Sequence, residues 1–470
     1  MPFDFSYSQD SPASLVNRAD EVSRLAAVRE LSAATSYYGI GDIFREYAGL
    51  PEAEPLAFGA DHYVPWTEEA PHHSDLTAGL PTFLATTERR AKSYAEQGIS
   101  NAIGVGSPIH YLRSNLGKRG WHPPETESER RGTIAFPHKS TLGIERNFDY
   151  AAFADELVNL PDEYHPVVAC VYWQDYLAGR HRAYLEAGLQ VITCGHVFDP
   201  LFLHRFIDAS SRFRYACGNA IGSSYPLAVC CGCKFFLLES GAISENRVDD
   251  STGRIMGHPD ESDCETITTL RQLAPFPPCA ESFAKQEAFV EGLTGKKFQK
   301  TPGKIYEIHD QSRKSALKLQ RKFQQFVEPV PLAELNRWLP RGIYTDGWAR
   351  NSSQLTVRDG RSLILCLLFP DEIFSGARSL RMTVGGRDSI EYSLTPGYYK
   401  LWLPLSSGES TMIRFDTATE KELSPEDSRG VALRFLAWRC SELPLRTVPA
   451  CESIGWPKVE ALIASLEDDS

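Results

Sequence analysis

No stretch of this chain stays apolar for the roughly 20 residues that crossing a bilayer takes, so no transmembrane segment is expected. A basic surplus is missing too. The 470 residues carry a formal net charge of -12, which argues against nucleic acid, because neutralising phosphates needs a basic surface. The first residues, Met1-Pro-Phe-Asp-Phe-Ser, have neither a basic start nor an apolar core, so no signal peptide is expected. Internal repeats of solenoid length are absent. Metal spacing is absent as well: Cys230-Cys-Gly-Cys233 has no second Cys or His pair at zinc-finger distance and reads as a helix end with Gly232 as terminator. No metal is predicted. The eleven cysteines are odd in number, and several sit inside strand-like apolar runs. Reduced, buried thiols in the cytoplasm fit them better than a disulfide framework.

What is present is a series of strand–turn–helix units between Thr133 and Ser240. Short apolar runs at Thr133–Phe136, Val167–Tyr172, Gln190–Cys194, Phe213–Cys217 and Lys234–Leu238 alternate with helical segments. That alternation predicts βαβ units and a parallel sheet. In such sheets ligands bind beyond the carboxyl ends of the strands. The turns that fall there are rich in small, polar and imidazole side chains.

Residues 1–130 read as a separate, more irregular α/β unit, with helical spacing over Asp20–Leu50 interrupted by Gly39 and Gly41, and strands near Leu56–Phe58 and Ile99–Val105. Residues 131–330 hold the strand–helix series and end in helices around Glu265–Leu273 and Ala280–Phe326. From 340 to 440, eight short strand candidates separated by Asp359-Gly360, Gly385-Gly386 and Pro396-Gly397 predict a β-sandwich. Residues 441–470 read as a tail. The fold class expected is therefore α/β, with two Rossmann-like lobes followed by an all-β sandwich domain.

Several turns carry candidate chemistry. Gly222-Ser-Ser-Tyr-Pro226 follows a strand and opens a helix, so Ser223 and Ser224, with Asn219 just before them, are candidates for an anion site. The competing reading is that one serine simply caps the helix. In Pro137-His-Lys-Ser-Thr141, the donors Lys139, Ser140 and Thr141 suit a diphosphate. His138 and His196 are candidates to assist a leaving phosphate or to titrate near neutrality. Glu239 is placed to accept from ribose hydroxyls. Asp175 and Arg180, five residues apart, are candidates for substrate binding and are read as serving different partners, the alternative being a helix N-terminal carboxylate and a surface arginine. In the first lobe Asp61, His62 and His110 are candidates for a base that activates an acceptor hydroxyl.

Phe136-Pro-His-Lys-Ser-Thr141, Val171-Tyr-Trp-Gln-Asp175 with Gly179-Arg-His181, Gly195-His-Val-Phe-Asp-Pro200 and Gly218-Asn-Ala-Ile-Gly-Ser-Ser224 resemble a bacterial family of glycosyltransferases from capsule and lipopolysaccharide loci, of GT-B architecture. The similarity spans roughly residues 35–240. The paired serines and strand-end histidine also resemble motifs of bacterial sialyl- and Kdo-transferases, which use CMP-sugars. Here His138 precedes Lys139 and His196 precedes Val197, so neither is a His-Pro dipeptide.

The resemblance implies a metal-independent transferase without a bound cofactor. It would move a sugar from a CMP- or UDP-linked nucleotide-sugar to a glycan or glycolipid acceptor. Ser223 and Ser224 would hold the donor phosphate, and His138 or His196 would assist departure. The setting implied is cytoplasmic, with peripheral association at a membrane assembly complex. Two other readings stand beside it: a nucleotide-sugar epimerase or hydrolase on the same scaffold, and a non-catalytic carbohydrate-binding protein.

Overall fold

The computed structural model describes residues 11–461 apart from 18–29, 31, 53, 63, 65, 67–79, 97–100, 125–128, 142–143, 239–242, 248–263, 324–340, 344–347, 358–360, 371–375, 387, 406–410, 419–420, 425–426, 442–448 and 456. The first lobe is built on a three-stranded parallel sheet, β1 (Gly59–Ala60), β2 (Phe83–Ala85) and β3 (Ala102–Gly104). Helix Ile40–Ala48 buries Ile40, Ile43, Phe44 and Tyr47, one face of a 3.6-residue period. Gly49 in a left-handed conformation ends it, its N–H reaching the Arg45 and Glu46 carbonyls.

The second lobe is a five-stranded, all-parallel sheet of β4 (Thr133–Ala135), β6 (Val167–Cys170), β7 (Gln190–Ile192), β8 (Tyr215–Gly218) and β9 (Lys234–Leu237). Two further strands, β5 (Ile144–Asn147) and β10 (Ser244–Arg247), pair antiparallel as a separate ribbon. The order in the sheet is β7-β6-β4-β8-β9. The chain builds outward from β4 to one side, then returns to its other side with β8, so the crevice between the ends of β4 and β8 is the switch point. All four residues of β6 are buried, as a central strand covered on both faces requires.

All five expected strands of this sheet are present, within a few residues of the expected bounds. The terminator reading of Gly232 is also met: its φ of 88° ends the helix Ser224–Cys230, and Cys230, Cys231 and Cys233 are buried beside it.

The lobes are joined by more than a linker. One continuous apolar core runs from Phe44 and Tyr111 in the first lobe to Phe206, Tyr225 and Phe235 in the second. Helix Pro302–Phe323, which follows the second lobe in sequence, packs on the first. Ser312 donates to the Ala57 carbonyl, and His309 Nε2 lies 3.2 Å from Glu54. Just before that helix, Tyr47 donates to the Lys300 carbonyl at 2.9 Å.

The C-terminal region is all β: β11 (Arg341–Ile343), β12 (Trp348–Val357), β13 (Ser362–Phe369), β14 (Arg378–Val384), β15 (Asp388–Leu394), β16 (Gly397–Pro404), β17 (Thr411–Thr417), β18 (Lys421–Ser424), β19 (Asp427–Val431), β20 (Leu433–Ser441) and β21 (Ala450–Ile454). The sequence suggests two stacked sheets, whereas the hydrogen bonding forms one large antiparallel sheet, β15-β14-β17-β12-β20-β13-β16-β21, with β11 added on β12, and β18 and β19 pair apart from it as a two-stranded ribbon. That sheet nearly closes. Tyr392 on one terminal strand and Cys451 on the other pack against the same core, and burial, then the Cys451 charge, raises the Tyr392 phenol. β21 lies in what the sequence reads as a tail.

Candidate functional site

Because the five strands are parallel, every loop after a strand opens on one rim. Lys139 follows β4, Trp173 follows β6, His196 follows β7, and Asn219, Ser223 and Ser224 follow β8. The two sides of the switch point are tied together: the Phe136 N–H donates to the Cys217 carbonyl at 2.8 Å, and the His138 N–H donates to Asn219 Oδ1 at 2.8 Å. A side chain at Gly218 would meet the Phe136 carbonyl at 2.9 Å, so glycine is what lets these turns touch.

Since Asn219 Oδ1 is an acceptor, its Nδ2 must be the donor end. That amide nitrogen is buried, in a residue 6% exposed, and has no hydrogen-bond partner. Unpaired buried donors cost about 1–3 kcal/mol and are uncommon. The Ser223 and Ser224 hydroxyls make no hydrogen bond among the described residues, and neither caps the helix. The capping alternative therefore does not describe this turn.

Lys139 likewise has no carboxylate partner among the described residues. Its Nζ lies 4.6 Å from the centre of the Tyr172 ring and 5.6 Å from that of Tyr38. The rim thus presents an ammonium, an amide and two hydroxyls that nothing among the described residues satisfies. Together they fit an anionic, oxygen-rich ligand.

The rim continues through an aromatic row. His196 packs on Trp173 with ring centres 4.1 Å apart, Phe198 on His196 at 5.5 Å, Tyr37 on Phe198 at 5.3 Å and His62 edge-on to Tyr37 at 4.8 Å. It links His62 of the first lobe to His196 of the second. The Phe198 N–H donates to His196 Nδ1 at 3.2 Å, so the neutral imidazole carries its proton on Nε2.

Several expected site residues turn out to be committed elsewhere. Asp175 and Arg180 do not serve different partners but pair with each other, and Arg180 also reaches Glu145 at 2.6 Å and Asn147 at 2.8 Å. Ser140 belongs to that network. Its N–H donates to Asp175 at 3.0 Å, while its hydroxyl accepts from Arg180 and from the Arg146 N–H. Thr141, two residues from Lys139, is half-buried on the same loop. His138 does not titrate near neutrality. Burial of the ring, then the charges of Arg146 and Lys139, push it down to about 3.

In the first lobe Asp61 is not a free base. It is 2% exposed and accepts from the Thr86 N–H at 2.8 Å, Thr86 Oγ1 at 3.1 Å, Arg90 Nε at 3.0 Å and Tyr94 Oη at 2.6 Å. His110 is buried against Thr294 Oγ1 at 3.1 Å rather than facing the cleft. Burial, then Arg113 and Lys296, hold it at about 4. Glu239 lies outside the described residues.

Tyr37, Tyr38, Tyr172, Trp173 and Phe198 are site residues that the sequence does not single out: Tyr172 reads as a strand end, and Trp173 and Phe198 as parts of turns. A signal was available in Tyr37-Tyr38-Gly39, two aromatics at the break in a helical pattern. A cavity of about 650 Å³ touching Leu160, Leu237, Arg271 and Phe276 lies elsewhere, with none of the rim side chains in its lining. Among the described residues no His, Cys, Asp and Glu cluster suits a metal ion, and no helix is long and apolar enough to cross a membrane.

No protein-family model matches the chain, and no curated protein does. Among solved structures the chain is similar to an acetyl xylan esterase, Est2A, from the rumen bacterium Butyrivibrio proteoclasticus (14% identity, 22% of this chain and 25% of that one, TM-score 0.15). It is also similar to the UDP-GlcNAc 2-epimerase of Neisseria meningitidis (15% identity, 65% and 82%, TM-score 0.32). A third is a putative UDP-N-acetylglucosamine 2-epimerase from Listeria monocytogenes (13% identity, 70% and 84%, TM-score 0.29). The chain thus spans about a quarter of the esterase's length. Likenesses this shallow leave the chemistry to be argued from the residues.

Proposed function

We propose that this chain is a nucleotide-sugar enzyme whose donor phosphate lies at the β4–β8 switch point, and that it transfers the sugar to a glycan or glycolipid acceptor in bacterial surface-polysaccharide assembly. The observation that carries the reading is the buried, unpaired Asn219 amide on the same rim as Lys139 and two serine hydroxyls that bond to nothing among the described residues. A phosphate supplies what those donors lack: several acceptor oxygens and a negative charge. Stabilisation of the departing phosphate would then be electrostatic, by donors already oriented before the ligand arrives. Neutral His138 would act at most as a hydrogen-bond donor, which leaves His196 as the second candidate to assist departure. Donor supply favours a cytoplasmic setting, and contact with a membrane assembly would be peripheral.

A second reading, a nucleotide-sugar epimerase or hydrolase, gains from one observation. Asp61 and His110, two of the three first-lobe candidates for deprotonating an acceptor, are committed to structure. His62, packed edge-on to Tyr37, is the third of those candidates. A thermal-shift panel of CMP-, UDP-, GDP- and dTDP-linked sugars tests the shared premise, since a ligand that binds only the folded state raises its stability. One nucleotide class should stand out, and a flat panel would sink both readings. Product analysis with and without a glycan acceptor separates them. The closing β domain would serve acceptor or partner binding, so removing residues 340–470 should abolish glycan binding while turnover of donor to water persists.

A further inference from the structure

The Lys139 ammonium is held on the faces of two tyrosines that come from different lobes. Tyr172 follows β6. Tyr38 belongs to the first lobe and reaches across to the rim, its hydroxyl 3.4 Å from that of Tyr172 and its ring centre 4.6 Å from that of Phe202. Tyr38 is also the one non-glycine residue with positive φ among those described, at 57°. A bulky side chain in that region is strained and persists where its surroundings over-determine it. Here they do. The Tyr38 N–H bonds to the Val197 carbonyl, and any side chain at Gly39 would collide with the Pro200 carbonyl.

We propose that Tyr38 is a positioning residue: the first lobe supplies the ring face that fixes the second lobe's ligand-binding cation. This rests on the reading of the rim as an anion site and extends it to the other lobe. A lysine held by aromatic faces keeps its charge and all three N–H donors, because the ring attracts the cation without neutralising it. A carboxylate partner would cancel the charge a phosphate needs. The second face exists only while the first lobe keeps its segment over the rim, so anion affinity depends on how the lobes are docked.

Titration of the full-length protein with inorganic pyrophosphate at low salt tests this. Tyr38→Asn removes the ring while suiting the left-handed backbone, and Tyr38→Leu is a second ringless variant. Each should weaken binding roughly fivefold to tenfold. Tyr38→Phe keeps the face and should stay within about twofold of the parent. In a Lys139→Ala background, Tyr38→Asn should have no further effect, because its action runs through the lysine. Unchanged affinity in both ringless variants, an equal loss in Tyr38→Phe, or full additivity with Lys139→Ala would overturn the inference while leaving the anion site standing. Failure of the parent to bind pyrophosphate, or indifference to Lys139→Ala, would remove the anion site and this inference together.

Discussion

The strand ends of the two lobes carry similar side chains and have opposite fates. Beyond β1 the carboxylate of Asp61 is surrounded by four donors, and beyond β3 His110 is closed in behind Thr294. Beyond β4 and β8 an ammonium, an amide and two hydroxyls have no hydrogen-bond or carboxylate partner among the described residues. Polar residues at the carboxyl ends of strands therefore do not mark a site by position alone. What distinguishes the second lobe is the hydrogen bonds left unmade. In the first lobe the same residue types hold the structure together, and the turn Thr294–Gly295 closes on them: a side chain at Gly295 would collide with the Thr86 carbonyl and crowd Gly106.

The sharpest way to break that contrast is through Asp61. Removing one partner of a buried, fully bonded ion pair leaves Arg90 charged and stranded, which costs about 3–5 kcal/mol. Asp61→Ala should therefore lower the urea midpoint by most of the protein's stability. If instead the variant is as stable as the parent and only turnover is lost, Asp61 is a base after all.

The next effect is acid sensitivity. His110 and His204 are both lowered to about 4, mainly by burial. Between about pH 6.5 and pH 4 the unfolded chain binds these protons and the native state does not. Stability is thus full above the unfolded value and falls as the pH drops through that window, by roughly 3 kcal/mol for each ring. Denaturation midpoints at pH 7.5, 6 and 5 should decline steadily, and His110→Gln should flatten part of the slope. A profile level down to pH 5 would contradict the burial of both rings.

How much of this could be read from the chain alone follows from range. The five parallel strands were legible because an apolar run followed by Gly or a polar turn is a local signal, and the helix Glu265–Leu273 matched its expected bounds for the same reason. The ends of β4, β7 and β8 on one rim followed from the alternation itself. Whether a polar group at a strand end is spent is decided by residues far away in sequence. Arg90 lies 29 residues from Asp61, Thr294 lies 184 from His110, and Tyr38 lies 134 from Tyr172. Periodicity carries no record of such distances. The β domain shows the same limit: its strands were legible one by one, whereas the continuity of their pairing was not.

The smallest effect gives the finest test, since it compares serines on a single rim. Ser140 sits on the β4 turn, where its hydroxyl accepts from Arg180 and from the Arg146 N–H. Ser223 and Ser224 sit across the switch point with hydroxyls that bond to nothing described. Ser140→Ala deprives two donors of their acceptor and should cost about 1–2 kcal/mol of stability. Ser223→Ala with Ser224→Ala breaks no bond in the free protein, so its stability should stay within about 0.5 kcal/mol. For ligand affinity the order reverses. Two hydroxyl bonds to a phosphate, each worth about 0.5–1.5 kcal/mol net, predict a loss of roughly fivefold or more in the paired serine variant. Ser140→Ala should change nucleotide affinity less than that. Calorimetric titration with the nucleotide that the thermal-shift panel selects, beside urea melts of both variants, reads both quantities. If the paired variant is destabilised and binds normally, the two hydroxyls are spent within the protein and the switch point loses its claim to the donor.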